Sequence, residues 1–132
     1  MPREQWPLQQ DRPCVRIVLT LAPNDQPAPR TLLADSGAGS SASRCELILD
    51  EDDCLLCGGT PLQAVTLGGA FVGTFPTYGL RVRIPALGFD DIVPAVGVKS
   101  ASLPFDGIAC FHFLNRFHYG NFGNRGIFGL ES

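Results

Sequence analysis

The sequence has 132 residues, which is enough for one domain whose core folds without disulfide bonds. Apolar residues make up 45% of the chain and charged residues only 17%, so we expect part of the surface to be covered in a dimer. The net charge of −3 forms no basic stripe, and this argues against nucleic acid as the main partner.

The first residues and the cysteines predict the compartment. The N-terminal residues are polar and lack the apolar stretch of a signal peptide. No apolar run is long enough to cross a membrane. We therefore expect a cytoplasmic protein without a membrane partner, whose five cysteines are free thiols in a reducing compartment.

The first half of the chain is predicted to consist of short strands joined by turns. Residues 1–13 are polar with two prolines and predict an extended N-terminal arm. Residues 14–22 are apolar and β-branched, and they are expected to form a hairpin with residues 30–35 across a proline-containing turn. Two further apolar segments, 45–49 and 62–67, are predicted to be strands.

The second half adds more strands and one helix. Residues 50–53 are acidic and predict an exposed link. Residues 80–84 alternate strictly between apolar and polar, and residues 91–98 are expected to pair with them across a turn at 86–89. Apolar residues at i, i+3, i+4 and i+7 predict a short helix over residues 110–117. A terminal strand at 127–130 completes an all-β pattern with one short helix.

The stretch 32–38 carries the clearest chemical signal. Asp35 follows an apolar run and precedes three small residues, so another backbone can approach it closely. A carboxylate at such a position is costly unless it is hydrogen-bonded or has a chemical task. Two interpretations remain open at this point: Asp35 is a reactive group, or it caps a turn.

The tetrapeptide Asp35-Ser36-Gly37-Ala38 resembles the D-[S/T]-G-[A/S] active-site loop of the retropepsin-like aspartic proteases. The order of elements from about residue 14 to residue 130 is similar to that family as well. The resemblance implies a closed acid-protease-like β-barrel with a flap hairpin and one short helix in the C-terminal region. It also implies that residues 14–132 form a retropepsin-like protease domain behind the N-terminal arm.

The resemblance implies further site residues on either side of the barrel. The segment in the position of the flap, which would bind an extended peptide, consists of Gly68, Gly69, Ala70, Phe71, Val72 and Gly73. The floor under the active-site loop would be formed by Ile108, Ala109 and Cys110. Two positions depart from the family pattern: Cys110 replaces the usual glycine, and His112 replaces an acidic residue.

The implied activity is that of an aspartic endopeptidase acting on a polypeptide substrate. Each chain carries one Asp35 loop, so two chains must form a homodimer in which the two carboxylates share a proton and activate a water molecule. The Ser36 hydroxyl would hold the two loops in register, and Gly37 would permit their close approach. No cofactor and no metal are implied.

Competing interpretations use other residues. Cys54 and Cys57 form a lone C-x-x-C. A zinc site would need two more ligands, from Cys45, His112, His118 or elsewhere, and no second C-x-x-C supplies them. No βαβ pattern surrounds the pair, as a redox motif would require. Cys110 with His112 or His118 is a weak candidate for a thiol nucleophile, because packing explains these positions better.

Two rivals keep a non-enzymatic role. The first is a non-catalytic retropepsin-fold dimer that acts as a peptide-binding or structural module, for which Cys110 in place of the usual glycine is the best support. The second is an unrelated β-barrel binding module in which Asp35 only caps a turn.

Overall fold

A computed structural model describes residues 1–22, 24–38, 45–62, 64–67, 73–99 and 103–132. In these ranges the chain forms mostly strands, with two short α-helices and one 3₁₀ turn. In chain order the elements are β1 (Arg3–Pro7), β2 (Cys14–Leu21), β3 (Gln26–Asp35), β4 (Leu47–Asp50), α1 (Glu51–Leu56), β5 (Ala64–Leu67), β6 (Gly73–Ile84), the 3₁₀ turn (Pro85–Leu87), β7 (Phe89–Val98), β8 (Gly107–Cys110), α2 (Phe111–Leu114), β9 (His118–Gly120) and β10 (Ile127–Glu131).

Six strands close into a barrel in the order β2, β3, β8, β4, β7 and β6. The barrel closes where β6 returns to β2, through the pairs Val18–Arg83 and Leu19–Val82. β5 lies outside the closed barrel because, among the described residues, its one partner strand is β6. The prediction of a closed β-barrel is therefore confirmed.

The two ends of the chain form a separate three-stranded sheet in the order β1, β10 and β9. All of its pairings are antiparallel. Trp6 of β1 and Leu130 of β10 are buried in the same core cluster as the barrel interior. Part of the predicted N-terminal arm is thus a strand that packs on the barrel.

Four strands of the barrel are buried on both faces. Leu32 and Ala34 of β3 belong to the barrel core, whereas Leu33 between them belongs to a second cluster on the opposite face. We call this second set the outer cluster: Leu33, Cys45, Ile48, Val96, Val98, Ile108 and Cys110. Strands covered on both faces are continuously apolar, which is why β4 and β8 show no alternation in the sequence.

The predicted hairpins are confirmed with longer strands. β2 pairs with β3 over its full length, and the return strand begins at Gln26 rather than at residue 30. β6 pairs with β7 from Thr77 to Ile84, and the 3₁₀ turn with Gly88 connects them. β4 begins two residues later than predicted, and β9 was not predicted at all.

The prediction of an exposed acidic link at residues 50–53 is wrong, because helix α1 begins there. The Asp50 carboxylate accepts a hydrogen bond from the Asp52 N–H at 2.8 Å and caps the helix. Acidic residues fill the first turn, where they are favoured. Asp53 then binds Arg30 of β3 through two hydrogen bonds of 2.9 Å each, so the acidic run attaches the helix to the barrel.

The predicted helix over residues 110–117 is shorter in the structure. α2 covers Phe111–Leu114, and the next three residues continue as turns. Phe113 and Phe117 contact each other and Phe89 edge to face, with ring centroids 5.3–5.9 Å apart. The helical spacing of these residues therefore arises from aromatic packing, which needs only one helical turn. Within the described residues, no helix has the length and apolarity that crossing a membrane requires.

Gly107 gives a test of this architecture. Its φ is +149°, and an added Cβ would lie 2.3 Å from the carbonyl oxygen of Ile48 on the neighbouring strand. We expect Gly107→Ala to lower the free energy of unfolding by about 3 kcal/mol, measured by urea denaturation. Gly88→Ala is the matched control. The φ of Gly88 is +66°, but among the described residues no atom beyond its two chain neighbours lies within 4 Å of an added Cβ. The control is expected to cost about 1 kcal/mol, and equal losses in both variants would contradict the close approach of β8 to β4.

Candidate functional site around Asp35

Asp35 is the last residue of β3 and lies half-buried at the end of the strand. β3 runs parallel to β8, with the pairs Leu33–Ile108, Ala34–Ala109 and Asp35–Cys110. Although β3 and β8 are far apart in sequence, this pairing brings the predicted floor residues beside the strand that leads into the Asp35 loop.

The loop after Asp35 is a tight turn. The Gly37 N–H donates to Asp35 Oδ1 at 3.0 Å, and the Ala38 N–H donates to the Asp35 carbonyl oxygen at 3.1 Å. Within the described residues, only Gly37 donates to this carboxylate. Ser36 and Gly37 are exposed. A Cβ on Gly37 would lie 3.4 Å from Asp35 Oδ1, an ordinary contact, so its own chain does not require glycine there.

Two main-chain hydrogen bonds attach the loop to its floor. The Phe111 N–H donates to the Ala38 carbonyl oxygen at 3.1 Å, which ties the end of the turn to the start of α2. The preceding N–H, that of Cys110, donates to the Glu46 carbonyl oxygen at 2.9 Å. The Asp35 loop, β8 and the entry to β4 therefore form one connected unit.

A pair of thiols lies in the floor of this unit. Cys45 and Cys110 are both buried in the outer cluster, and the Cys45 Sγ donates to the Leu47 carbonyl oxygen at 3.0 Å. The neighbouring Cys110 lowers the pKa of the Cys45 thiol, against the opposing effect of burial. Cys45, together with burial and the nearby Asp35 carboxylate, raises the pKa of Cys110. In the sequence, Cys110 was a departure from a family pattern and a weak candidate for a thiol nucleophile, and no pattern linked it to Cys45.

An ion-pair network supports the floor from the opposite side. Arg116 binds both carboxylate oxygens of Glu46, with Nη2 2.7 Å from Oε2, and its Nη1 lies 3.1 Å from Asp91 Oδ2. The Glu46 side chain is only 10% exposed, so its charge depends on this partner. Sequence reasoning missed this pair because the two residues are 70 positions apart.

The predicted flap lies only partly within the described residues. Gly68, Gly69, Ala70, Phe71 and Val72 fall outside them, whereas Gly73 begins β6 with a φ of +142°. β5 and β6 form a hairpin whose last described pair is Leu67–Gly73. At its base, Phe75 packs against the outer cluster, as does Ala38 of the Asp35 loop.

The other predicted chemistries use residues on separate elements. Cys54 is fully buried on α1, and burial raises its pKa to about 12. Burial also raises the pKa of Cys57, the second thiol of the C-x-x-C. His112 and His118 lie on α2 and β9. In the part of the chain that the structure describes, no three His, Cys, Asp or Glu side chains are placed to hold a metal ion.

Comparison with known proteins gives no match, whether to family models, to curated proteins or to solved structures. The chemistry of the site must therefore be argued from its geometry. One half-buried carboxylate at an open turn can accept a proton from water as a general base. A single carboxylate cannot at the same time supply the general acid that a peptide leaving group needs.

The network at Glu46 gives a stability test for the floor. Arg116→Met leaves a buried carboxylate without its cation, so we expect a loss of about 2 kcal/mol in the free energy of unfolding. Arg81→Met is the matched control, since Arg81 also binds one carboxylate through two hydrogen bonds, to Asp90, but both side chains are about half exposed. The urea concentration at the unfolding midpoint is measured for both variants. Arg81→Met should have the midpoint of the wild type, and an equal shift of the midpoint in both variants would contradict a structural role for the buried pair.

Proposed function

We propose that the protein is an aspartic endopeptidase of the retropepsin type, in which the Asp35 carboxylates of two copies activate a water molecule. The observation that carries this proposal is the position of Asp35. It ends a barrel strand that pairs in parallel with β8, and it precedes an exposed, tight Ser-Gly turn. A residue that only caps a turn does not require this pairing.

A second copy would supply the group that one chain lacks. Two carboxylates in close contact cannot both ionise at low cost, so they share a proton, and one acts as base while the other acts as acid. A two-fold axis at the loop would place the two Asp35 residues together. The exposure of Ser36 and Gly37 supports such contact, because the chain leaves both residues uncovered.

The expected substrate is an extended polypeptide. The β5–β6 hairpin leaves the closed barrel, and its base shares the outer cluster with Ala38 of the Asp35 loop. A hairpin at this place could bind a peptide by strand addition, through main-chain hydrogen bonds. The assignment of residues 68–73 as the flap stays a prediction.

The alternative is a non-catalytic dimer that keeps the fold and binds peptides or other proteins. Cys110 in place of the family's glycine favours it, since that glycine lets the segment pass close under the loop. In this chain, however, the Cys110 side chain is buried in the outer cluster while β8 stays paired with β3 at Asp35. The thiol therefore does not separate the two strands, which supports the catalytic proposal.

Asp35→Asn is the direct test of the catalytic role. The amide keeps the volume and can still accept from Gly37, but it cannot act as a base, so we expect cleavage of an unfolded protein to fall by about 10²–10⁴-fold. The wild-type rate should pass through a maximum on the acidic side of neutral, because only the singly protonated pair is active. Cleavage is followed with an unfolded protein or a peptide library.

Asp50→Asn is the matched control for that experiment. Asp50 also ends a barrel strand and accepts from the N–H two residues ahead, at 2.8 Å against 3.0 Å for Asp35. If Asp35 only capped a turn, Asp35→Asn and Asp50→Asn would have the same effect on the rate of cleavage. Wild-type cleavage by Asp35→Asn would refute the proposal, whereas two folded, dimeric and inactive proteins would favour the non-catalytic alternative.

The dimer is tested separately by sedimentation. We expect the wild-type chain to associate as a symmetric dimer, and Ser36→Lys to weaken this association because two like charges meet at the two-fold axis. Thr60→Lys adds the same charge at an exposed position on another loop and should leave the dimer intact. A monomer that cleaves at every accessible concentration would contradict catalysis by a shared pair.

A further inference from the structure

Two thiols meet directly beneath the Asp35 loop, and the proposed hydrolysis uses neither. β4 and β8 are antiparallel with the pair Leu47–Ala109, and the next hydrogen bond joins the Cys110 N–H to the Glu46 carbonyl oxygen. Cys110 therefore lies opposite Glu46, and Cys45 is the residue that precedes Glu46. Both cysteine side chains are buried in the outer cluster, where the Cys45 Sγ donates to the Leu47 carbonyl oxygen at 3.0 Å and Cys110 is close enough to lower the pKa of Cys45.

We propose that Cys45 and Cys110 form a reversible disulfide bond when the protein meets a peroxide, and that this bond regulates the Asp35 site. A disulfide needs Cα atoms about 4.4–6.8 Å apart. The β4–β8 register places Cys110 opposite the residue that follows Cys45, and both thiols are buried in the same cluster, so the two are neighbours across the strands. The two residues are 65 positions apart in sequence, so only the barrel brings them together.

The remaining cysteines are poorer candidates. All five cysteines are described, and none of them is in a disulfide bond; only Cys45 has a pKa below its ordinary value. Burial raises the pKa of Cys14, Cys54 and Cys57, and a thiol without thiolate character reacts slowly with peroxide. Cys45 is 4% exposed, whereas Cys110, Cys14 and Cys54 are completely covered, so peroxide reaches Cys45 before its neighbour. Cys45 is therefore the attacking thiol, and its neighbour Cys110 is the resolving one.

The chemistry balances with one peroxide molecule. The Cys45 thiolate attacks a peroxide oxygen, so that an S–O bond forms, the O–O bond breaks and the released hydroxide becomes water. The Cys110 sulfur then attacks Cys45, an S–S bond replaces the S–O bond, and the second hydroxide leaves with the Cys110 proton as water. Two thiols are oxidised and the peroxide is reduced, and a dithiol reductant reverses the reaction.

The bond would change the floor of the site. A disulfide holds its sulfur atoms about 2.05 Å apart, well inside the contact distance of two thiols, so the Cys110 side chain and the backbone that carries it must adjust toward Cys45. Cys110 pairs with Asp35, and the N–H of the next residue, Phe111, donates to the Ala38 carbonyl oxygen. We therefore expect oxidation to displace the Asp35 loop and to lower cleavage by about 10²-fold. This regulatory step rests on the proposed peptidase function, whereas formation of the bond does not.

The test treats the full chain with hydrogen peroxide, blocks the remaining thiols after denaturation, and maps the cross-linked peptides. Wild type should lose two thiols per chain in a Cys45–Cys110 bridge, and dithiothreitol should restore both. Cys45→Ala and Cys110→Ala should not form the bridge, whereas Cys14→Ala, which removes an equally buried thiol, should form it normally. If the first two variants do not fold, the peptide map of the wild type still decides the question.

The outcomes separate this inference from the proposed function. Thiols of Cys45 and Cys110 that stay free, a bridge between Cys54 and Cys57 instead, or oxidation of Cys45 without a bridge would each overturn the disulfide. A bridge in a protein that never cleaves would leave the thiol site standing and count against the peptidase. A bridge that leaves peptidase activity unchanged would overturn the regulatory step alone.

Discussion

The parallel pairing of β3 with β8 is the constraint on which the rest of the site depends. It joins strands from opposite ends of the sequence and aligns Asp35 with Cys110. Parallel strands need a long connection, and here that connection contains β4 to β7, among them three of the six barrel strands. The barrel must therefore be nearly complete before Asp35 has its floor. A carboxylate at this position is held by the whole fold, although its nearest hydrogen bond is local.

Burial on two faces explains how such a strand can be stable around a polar site. β3, β4, β7 and β8 have the barrel core on one face and the outer cluster on the other. The polar groups of this region are compensated individually: Glu46 by Arg116, the Asp35 carboxylate in part by Gly37, and the Cys45 thiol by the Leu47 carbonyl oxygen. Each of these pairs lies at a strand end, where the apolar clusters stop. The site thus occupies the edge of the outer cluster.

The helices illustrate how packing and charge decide local structure. Most of residues 50–53 are aspartates, whose intrinsic helix propensity is low. A cap at Asp50 and the ion pair of Asp53 with Arg30 nevertheless stabilise one short helix there. At 110–117 the apolar period predicted a longer helix than the four residues observed. There the spacing arises because Phe113 and Phe117 pack on Phe89 of β7. The apolar period therefore indicates the buried side chains, and it does not require a helical backbone over the whole stretch.

Local patterns in the sequence were enough to predict the hairpins β2–β3 and β6–β7, the terminal strand, the all-β class and the small-residue turn after Asp35. These follow from neighbouring residues, since alternation, turn chemistry and short loops act over a few positions. Only the tertiary structure decided the barrel closure, the floor beneath Asp35, the Glu46–Arg116 pair and the contact of Cys45 with Cys110. Each joins residues more than 60 positions apart, and no local pattern records such a pairing, because its free energy comes from burying surfaces that distant segments supply together.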